Sequence, residues 1–205
     1  MAALRGVRSV GGVFEVRIHG RGGQGVVTAA ELLSIAAFDE GRHAQAFPSF
    51  GSERTGAPVV SFCRFSDAPI RTREPVAEPD ALIVQDPTLL HQVDLFAGLG
   101  RSGYALVNTG GDADSLGLGE LAESLEPGRL VTAPASAIAR ELLGRPLPNA
   151  ALLGGFAALT GRLHLTSVVA AIEERFPGSA GEGNAAAARA CFEHVRAQRE
   201  AIALV

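Results

Sequence analysis

The chain contains no lysine; all 18 of its basic residues are arginine. That absence excludes a lysine Schiff base, a Walker-type phosphate lysine and any other chemistry that needs a side-chain amine. Cysteine is nearly absent too. Cys63 and Cys191 stand far apart with no C-x-x-C spacing, so the chain alone cannot build an iron-sulfur cluster or a structural zinc site. Both thiols fall in apolar segments, which predicts buried, inert side chains and a reducing cytoplasm as the natural compartment. An excess of positive charge is also missing. With a net charge of −4, a pI near 5.7 and no basic block interleaved with aromatics, a nucleic-acid partner is set aside. The longest apolar block, Ala151 to Leu159, is interrupted by glycines and is far shorter than the roughly 20 residues of a membrane span. Met1 to Gly12 lacks the apolar run of a signal peptide, so a soluble, non-exported protein without membrane contact is expected.

What is present starts with size. The 205 residues, 47% of them hydrophobic, suffice for one full core. A mean hydropathy of +0.21 beside 20% charged residues is high for a solitary soluble domain and predicts a subunit with a covered face. The expected organisation is an N-terminal extension over residues 1–12 followed by one domain over 13–205.

The organising stretch is Gly20-Arg21-Gly22-Gly23-Gln24-Gly25-Val26. Before it, Phe14, Val16 and Ile18 alternate with Glu15, Arg17 and His19, which predicts a strand with two unlike faces; after it, Val26 to Phe38 has helical periodicity. Glycines at a strand-to-helix turn allow close approach of a ligand, and the free amides of a helix start favour an anion. Gly20, Gly22 and Gly25 satisfy G-x-G-x-x-G, yet the acid that a dinucleotide site needs at the end of the second strand is missing: His43 to Phe47 runs into Pro48-Ser49-Phe50. Two readings stand for the turn, a phosphate cradle and a device for close helix-to-sheet packing.

Further along, His43 to Phe47 reads as a buried second strand, and Val59 to Phe65 as a third strand paired with Pro69 to Thr72 through a hairpin turn. Ala81 to Val84, Tyr104 to Val107 and Leu130 to Ala133 read as buried parallel strands. Helices are predicted at Leu89 to Ala97, within Gly110 to Pro127, from Pro134 to Leu143, and then at Ala150 to Thr160, Ser167 to Phe176 and Asn184 to Ala203. The fold class is therefore α/β, a Rossmann-like three-layer fold with a mostly parallel sheet, a β-hairpin insertion and a helical C-terminal end.

The loop Ser49 to Pro58 carries an adjacent acid and base, Glu53 and Arg54, and loops of such mixed composition are often functional. Arg54 either binds a phosphate or carboxylate while Glu53 fixes it, or both hold a partner subunit. Arg21 either contacts a phosphate or makes an ion pair, and Gln24 offers its amide to a ligand or a neighbouring loop. Phe47 and Phe50 read as core or interface aromatics. The five histidines are too scattered for a metal site, and Asn108 and Asn149 read as turn or cap residues.

Gly20 to Ala30, Ala44 to Pro58, Gln85-Asp86-Pro87-Thr88-Leu89, Leu106 to Thr109 and Gly144 to Gly154 together resemble the gamma subunit, or gamma domain, of the 2-oxoacid:ferredoxin oxidoreductases, of which pyruvate:ferredoxin oxidoreductase is the best-known member. The likeness spans roughly residues 13 to 195, the length of one typical domain. It implies an accessory subunit without catalytic residues of its own, in an enzyme that oxidatively decarboxylates a 2-oxoacid to an acyl-coenzyme A. Thiamine diphosphate, Mg and iron-sulfur clusters are then held by alpha, beta and delta-type partner subunits, with ferredoxin as electron acceptor. Coenzyme A becomes the natural anion for Gly20 to Val26, Glu53 and Arg54. Gly111-Asp112-Ala113 departs from a thiamine Gly-Asp-Gly signature, and Gly181-Glu182-Gly183-Asn184 lacks the lysine of many relatives. Competing readings are an indolepyruvate:ferredoxin oxidoreductase accessory subunit, a stand-alone nucleotide-binding module and a purely structural clamp.

Overall fold

Ala81–Val84 and Tyr104–Asn108 are apolar at nearly every position, and such segments are stable only where a sheet is covered on both faces. The computed structural model, which describes residues 12–49 and 55–203, places them at the centre as β4 and β5. The other strands are β1 (Phe14–Arg21), β2 (His43–Pro48), β3 (Pro58–Ser66) and β6 (Leu130–Ala133), and the sheet order is β2-β3-β1-β4-β5-β6. Strands β1, β4, β5 and β6 are mutually parallel, while β3 is antiparallel to both of its neighbours. The helices are α1 (Val26–Asp39), α2 (Gly119–Ser124), α3 (Ala135–Leu143), α4 (Asn149–Thr160), α5 (Leu165–Arg175) and α6 (Ser179–Ala203).

The predicted α/β fold, mostly parallel sheet and helical end are present, with several local corrections. The hairpin's arms are β2 and β3, not β3 and Pro69 to Thr72. Residues 67–72 form no strand; the segment instead lies against β2 and β3, where Ile70 accepts a hydrogen bond from Gln45 at 3.3 Å and Glu74 accepts one from Arg64. Strand β2 is a half-buried edge rather than a buried strand. No α-helix runs from Leu89 to Ala97. A short 3-10 turn over Pro87–His91 stands there, because the carbonyls of Leu95 and Ala97 turn toward Arg17, whose guanidinium donates to them at 3.0 and 2.6 Å.

Strand β1 lacks the wet face that its alternation predicts. Arg17 and His19 are 8% and 6% exposed, since the loops after β3 and β4 close over that face. Arg17 also donates to the carbonyls of Val76 and Ala77, so one charged side chain binds two loops in the way a buried guanidinium with full hydrogen bonding can.

On the opposite face Phe14, Val16 and Ile18 meet α1, α4, α5 and α6 in the main core. Helix α4 is apolar all round and almost wholly buried, as befits a central helix. Its Gly154 sits so close to α6 that a Cβ there would lie 1.8 Å from the carbonyl oxygen of Ala188. Helix α6 begins at Ser179, earlier than the periodicity predicts. Gly181 and Gly183 are retained because Cβ atoms there would meet Phe176 O at 2.0 Å and Leu143 Cδ2 at 2.7 Å. Among the described residues no helix is long and apolar enough to cross a membrane.

Candidate functional site

The chain leaves β1 toward β2 through α1, and leaves β4 in the opposite direction toward β5. Between the carboxyl ends of β1 and β4 the topology therefore switches, which is where open α/β sheets form a ligand crevice. Gly20 to Gly25 occupies this crevice. Gly23 and Gly25 have φ of 92° and 73°, a region that side chains other than glycine enter only with strain. Gly25 is also closed by its neighbour: a Cβ would fall 2.6 Å from Nδ2 of Asn149, the first residue of α4. Gly20 lies under the turn, where a Cβ would meet Val26 Cγ2 at 2.7 Å and Gln24 Oε1 at 3.0 Å. Gly20 and Gly25 thus have a packing role in addition to any approach they allow, whereas nothing lies within 4 Å of a Cβ on Gly23.

Hydrogen bonds fix the turn. The Gly22 amide donates to the Ala57 carbonyl at 2.9 Å, and the Gln24 amide donates to the Arg21 carbonyl at 3.0 Å. The Gly22 carbonyl accepts from Gly56 at 3.1 Å. The first intrahelical bond of α1 runs from Ala29 N–H to the Gly25 carbonyl at 2.9 Å, so the amides of Val26, Val27 and Thr28 precede it and have no intrahelical partner. Val26, Val27 and Thr28 line an open groove of about 400 Å³ together with Arg21, Gly22, Gly23, Gly25 and Val59.

Arg21 is engaged within the chain. Its Nε donates to Asp86 Oδ2 at 3.1 Å, and its terminal nitrogens donate to the Gly56 carbonyl at 3.0 Å and Thr88 Oγ1 at 2.7 Å. Gln24 completes the same knot, accepting from the Arg21 amide at 2.7 Å and donating through Nε2 to Asp86 Oδ2 at 2.9 Å. The other Asp86 oxygen accepts from the amide and hydroxyl of Thr88. Burial pushes the Asp86 carboxyl up, but the hydrogen bonds from Thr88 and Gln24 and the charge of Arg21 outweigh it, so its pKa lies below the usual value.

The structure thus brings Gly20, Arg21, Gly22, Gly23, Gln24, Gly25 and Val26 together at one crevice. Glu53 and Arg54 lie outside the described residues, as do Phe50 and the extension over 1–11. The sequence reading singled out neither Asp86 nor Thr88 for a role. An Asp-Pro at the end of a buried strand is a signal for a capped turn, and the cap is what brings Asp86 to the glycines. Asn108 behaves as a turn residue, its Oδ1 accepting from Ser136 N–H at 3.0 Å at the start of α3. Cys63 and Cys191 are free and buried. Burial raises the pKa of both, that of Cys191 to about 12. Among the described residues no three His, Cys, Asp or Glu side chains group as metal ligands.

Known proteins match this arrangement along nearly the whole chain. A model of the family described as pyruvate ferredoxin/flavodoxin oxidoreductase matches residues 15–194. The pyruvate synthase subunit PorC of Methanothermobacter marburgensis is 46% identical over 184 residues, covering 90% of this chain and 98% of that protein. The pyruvate/ketoisovalerate oxidoreductases common subunit gamma of Thermococcus kodakarensis is 49% identical over 182 residues, covering 88% and 96%. Among solved structures, pyruvate oxidoreductase subunit PORC from Thermotoga maritima superposes with a TM-score of 0.74 at 34% identity, over 88% of this chain and 96% of that one. On the strength of a match that runs from β1 into α6, this chain belongs to the pyruvate ferredoxin/flavodoxin oxidoreductase family.

Proposed function

We propose that this chain is the gamma subunit of a heteromeric 2-oxoacid:ferredoxin oxidoreductase acting on pyruvate, and that its glycine turn positions coenzyme A. The observation that carries the first part is the near end-to-end correspondence with subunits named for pyruvate and ketoisovalerate oxidoreduction. Alpha, beta and delta-type subunits would hold thiamine diphosphate, Mg and the iron-sulfur clusters and deliver electrons to ferredoxin, in the cytoplasm. Those groups would supply the decarboxylation and electron-transfer chemistry. This chain's residues would bind and orient.

For the second part, the groove beside the glycine turn, bounded by Val59 of β3, fits a phosphate through the amides of Val26, Val27 and Thr28, where backbone dipoles favour an anion. Arg21 contributes less than a free cation would, because Asp86 neutralises it. The turn is then an oriented-amide site with little net charge. Such a site selects by geometry, as a site built of glycines can.

The test uses the assembled complex with Gly22→Val in this chain. Coenzyme A-dependent turnover of pyruvate should fall more than decarboxylation measured without the coenzyme. Equal losses in both assays would leave the turn with packing alone, and preparation of the chain without any oxidoreductase partner would remove the subunit assignment.

A further inference from the structure

Ser61 is the polar exception on the face of β3 that lies under α1. Val59, Cys63 and Phe65 share that face and belong to the main core, and Ser61 among them is fully buried. A small apolar side chain would fill the same space without the cost of taking a hydroxyl out of water. The hydroxyl is used at long range. It donates to the carbonyl of Val26 at 2.7 Å, across 35 positions of sequence, and Val26 is the first residue of α1.

That bond reaches the groove through one peptide unit. The Val26 carbonyl and the Val27 N–H belong to the same planar group and point in opposite directions, so a donor that fixes the carbonyl also fixes the N–H. A hydrogen bond accepted by the carbonyl further polarises the unit and makes its N–H the stronger donor. Val27 lines the groove beside the glycine turn, and its amide precedes the first intrahelical bond of α1. Val59, two residues before Ser61, lines the same groove. The register that pairs Gly20 with Val59 and Ile18 with Ser61 keeps both residues at the end of β1 from which the turn departs. Strand β3 thus supplies one wall of the groove and the tie that holds the helix start beside it.

We propose that Ser61 is a positioning residue for anion binding, acting through the Val26–Val27 peptide to orient and strengthen the Val27 N–H as a donor to a phosphate of coenzyme A. Ser61 itself touches no ligand. The inference rests on the coenzyme reading above, and it accounts for a hydroxyl at a core position. Thr160 shows the ordinary alternative. Its buried hydroxyl donates to the Phe156 carbonyl of its own helix at 2.9 Å, about 16 Å along α4 from Asn149, where it serves local structure.

The experiment measures coenzyme A binding to the assembled complex by calorimetry without pyruvate, for wild type, Ser61→Ala, Ser61→Cys and Thr160→Val. Ser61→Ala should raise the dissociation constant about threefold to tenfold, the equivalent of one hydrogen bond. Ser61→Cys, similar in size and still a weak donor, should raise it less. In turnover, the KM of Ser61→Ala for coenzyme A should rise while kcat at saturation and the KM for pyruvate hold. Thr160→Val should lower the melting temperature as Ser61→Ala does and leave coenzyme A affinity unchanged. Wild-type affinity in Ser61→Ala, or an equal loss in Thr160→Val, would overturn the role of Ser61, and a selective loss in Gly22→Val beside it would keep the coenzyme reading intact. If Ser61→Ala and Gly22→Val both bind coenzyme A as wild type does, the coenzyme reading and this inference fall together.

Discussion

Nε of Arg17 donates to Nε2 of His19 at 3.0 Å, joining two buried side chains that share one face of β1. Because a guanidinium can only donate, His19 Nε2 carries the lone pair and the ring is neutral with its proton on Nδ1. Burial, and then the charge of Arg17, lower the His19 pKa from 6.5 to about 4. Between those values the unfolded chain binds a proton that the folded chain refuses, so stability rises with pH across that window. The loss on acidification from pH 7 to pH 4.5 should be on the order of 3 kcal/mol. A pH series of thermal melts checks it, with His19→Gln giving a flatter profile and an unchanged slope sinking the assignment.

The knot at Asp86 predicts a second result. Asp86→Ala removes the acceptor of Arg21, Gln24 and Thr88, and lost hydrogen bonds to a charged group cost about 1.5–3 kcal/mol. In a domain of this size that is a melting temperature about 5–10 °C lower. Since the folded pKa of Asp86 is depressed, its contribution is present above the ordinary carboxylate pKa and fades as pH falls below it. Asp86→Asn should therefore behave as wild type does in acid; a melt at neutral pH matching wild type would show the knot to be energetically idle.

Gly154 sets a third expectation. With a Cβ placed 1.8 Å from the Ala188 carbonyl oxygen, Gly154→Ala must separate α4 from α6 and should cost more than about 3 kcal/mol. Gly100→Ala is the control, since nothing lies within 4 Å of its Cβ position. Circular dichroism melts of the two variants should differ widely, and similar curves would mean the helices yield.

Thiol chemistry gives a fourth. Cys63 and Cys191 are both fully buried and their pKa values are raised by burial, so neither presents a thiolate. Titration with an aromatic disulfide reagent should find no fast-reacting thiol in the native chain and two after denaturation. Rapid labelling of either in native buffer would contradict the packing around it.

How far the residues announced this structure depends on whether the signal was local. The glycine turn, the apolar runs of β4 and β5 and the helical periodicity after Pro134 are short-range patterns, and all form the predicted elements. The faults arose where a distant partner decides. Arg17 looks like a solvent-facing residue until the loops after β3 and β4 close on it, and those same contacts unmake the helix expected at Leu89. At the site, the glycines were legible because their conformational role is intrinsic. Asp86 was not, because its bond to Arg21 joins positions 65 residues apart. Ser61 was equally hidden, since the carbonyl it meets lies on another element, 35 positions away.

The intimate seating of α6 on α4 also bears on how the molecule comes to exist. Strands β1 to β6 leave the ribosome well before Ser179–Ala203, yet the outer side of α4 and the flank of β6 are covered only when that last helix docks over Gly154. A nascent chain must therefore hold an oily, uncovered α4 until synthesis has nearly finished, and a truncation before residue 188 would leave it so permanently. Chaperone capture, or early meeting with the oxidoreductase partners, would decide how much of the newly made chain escapes aggregation.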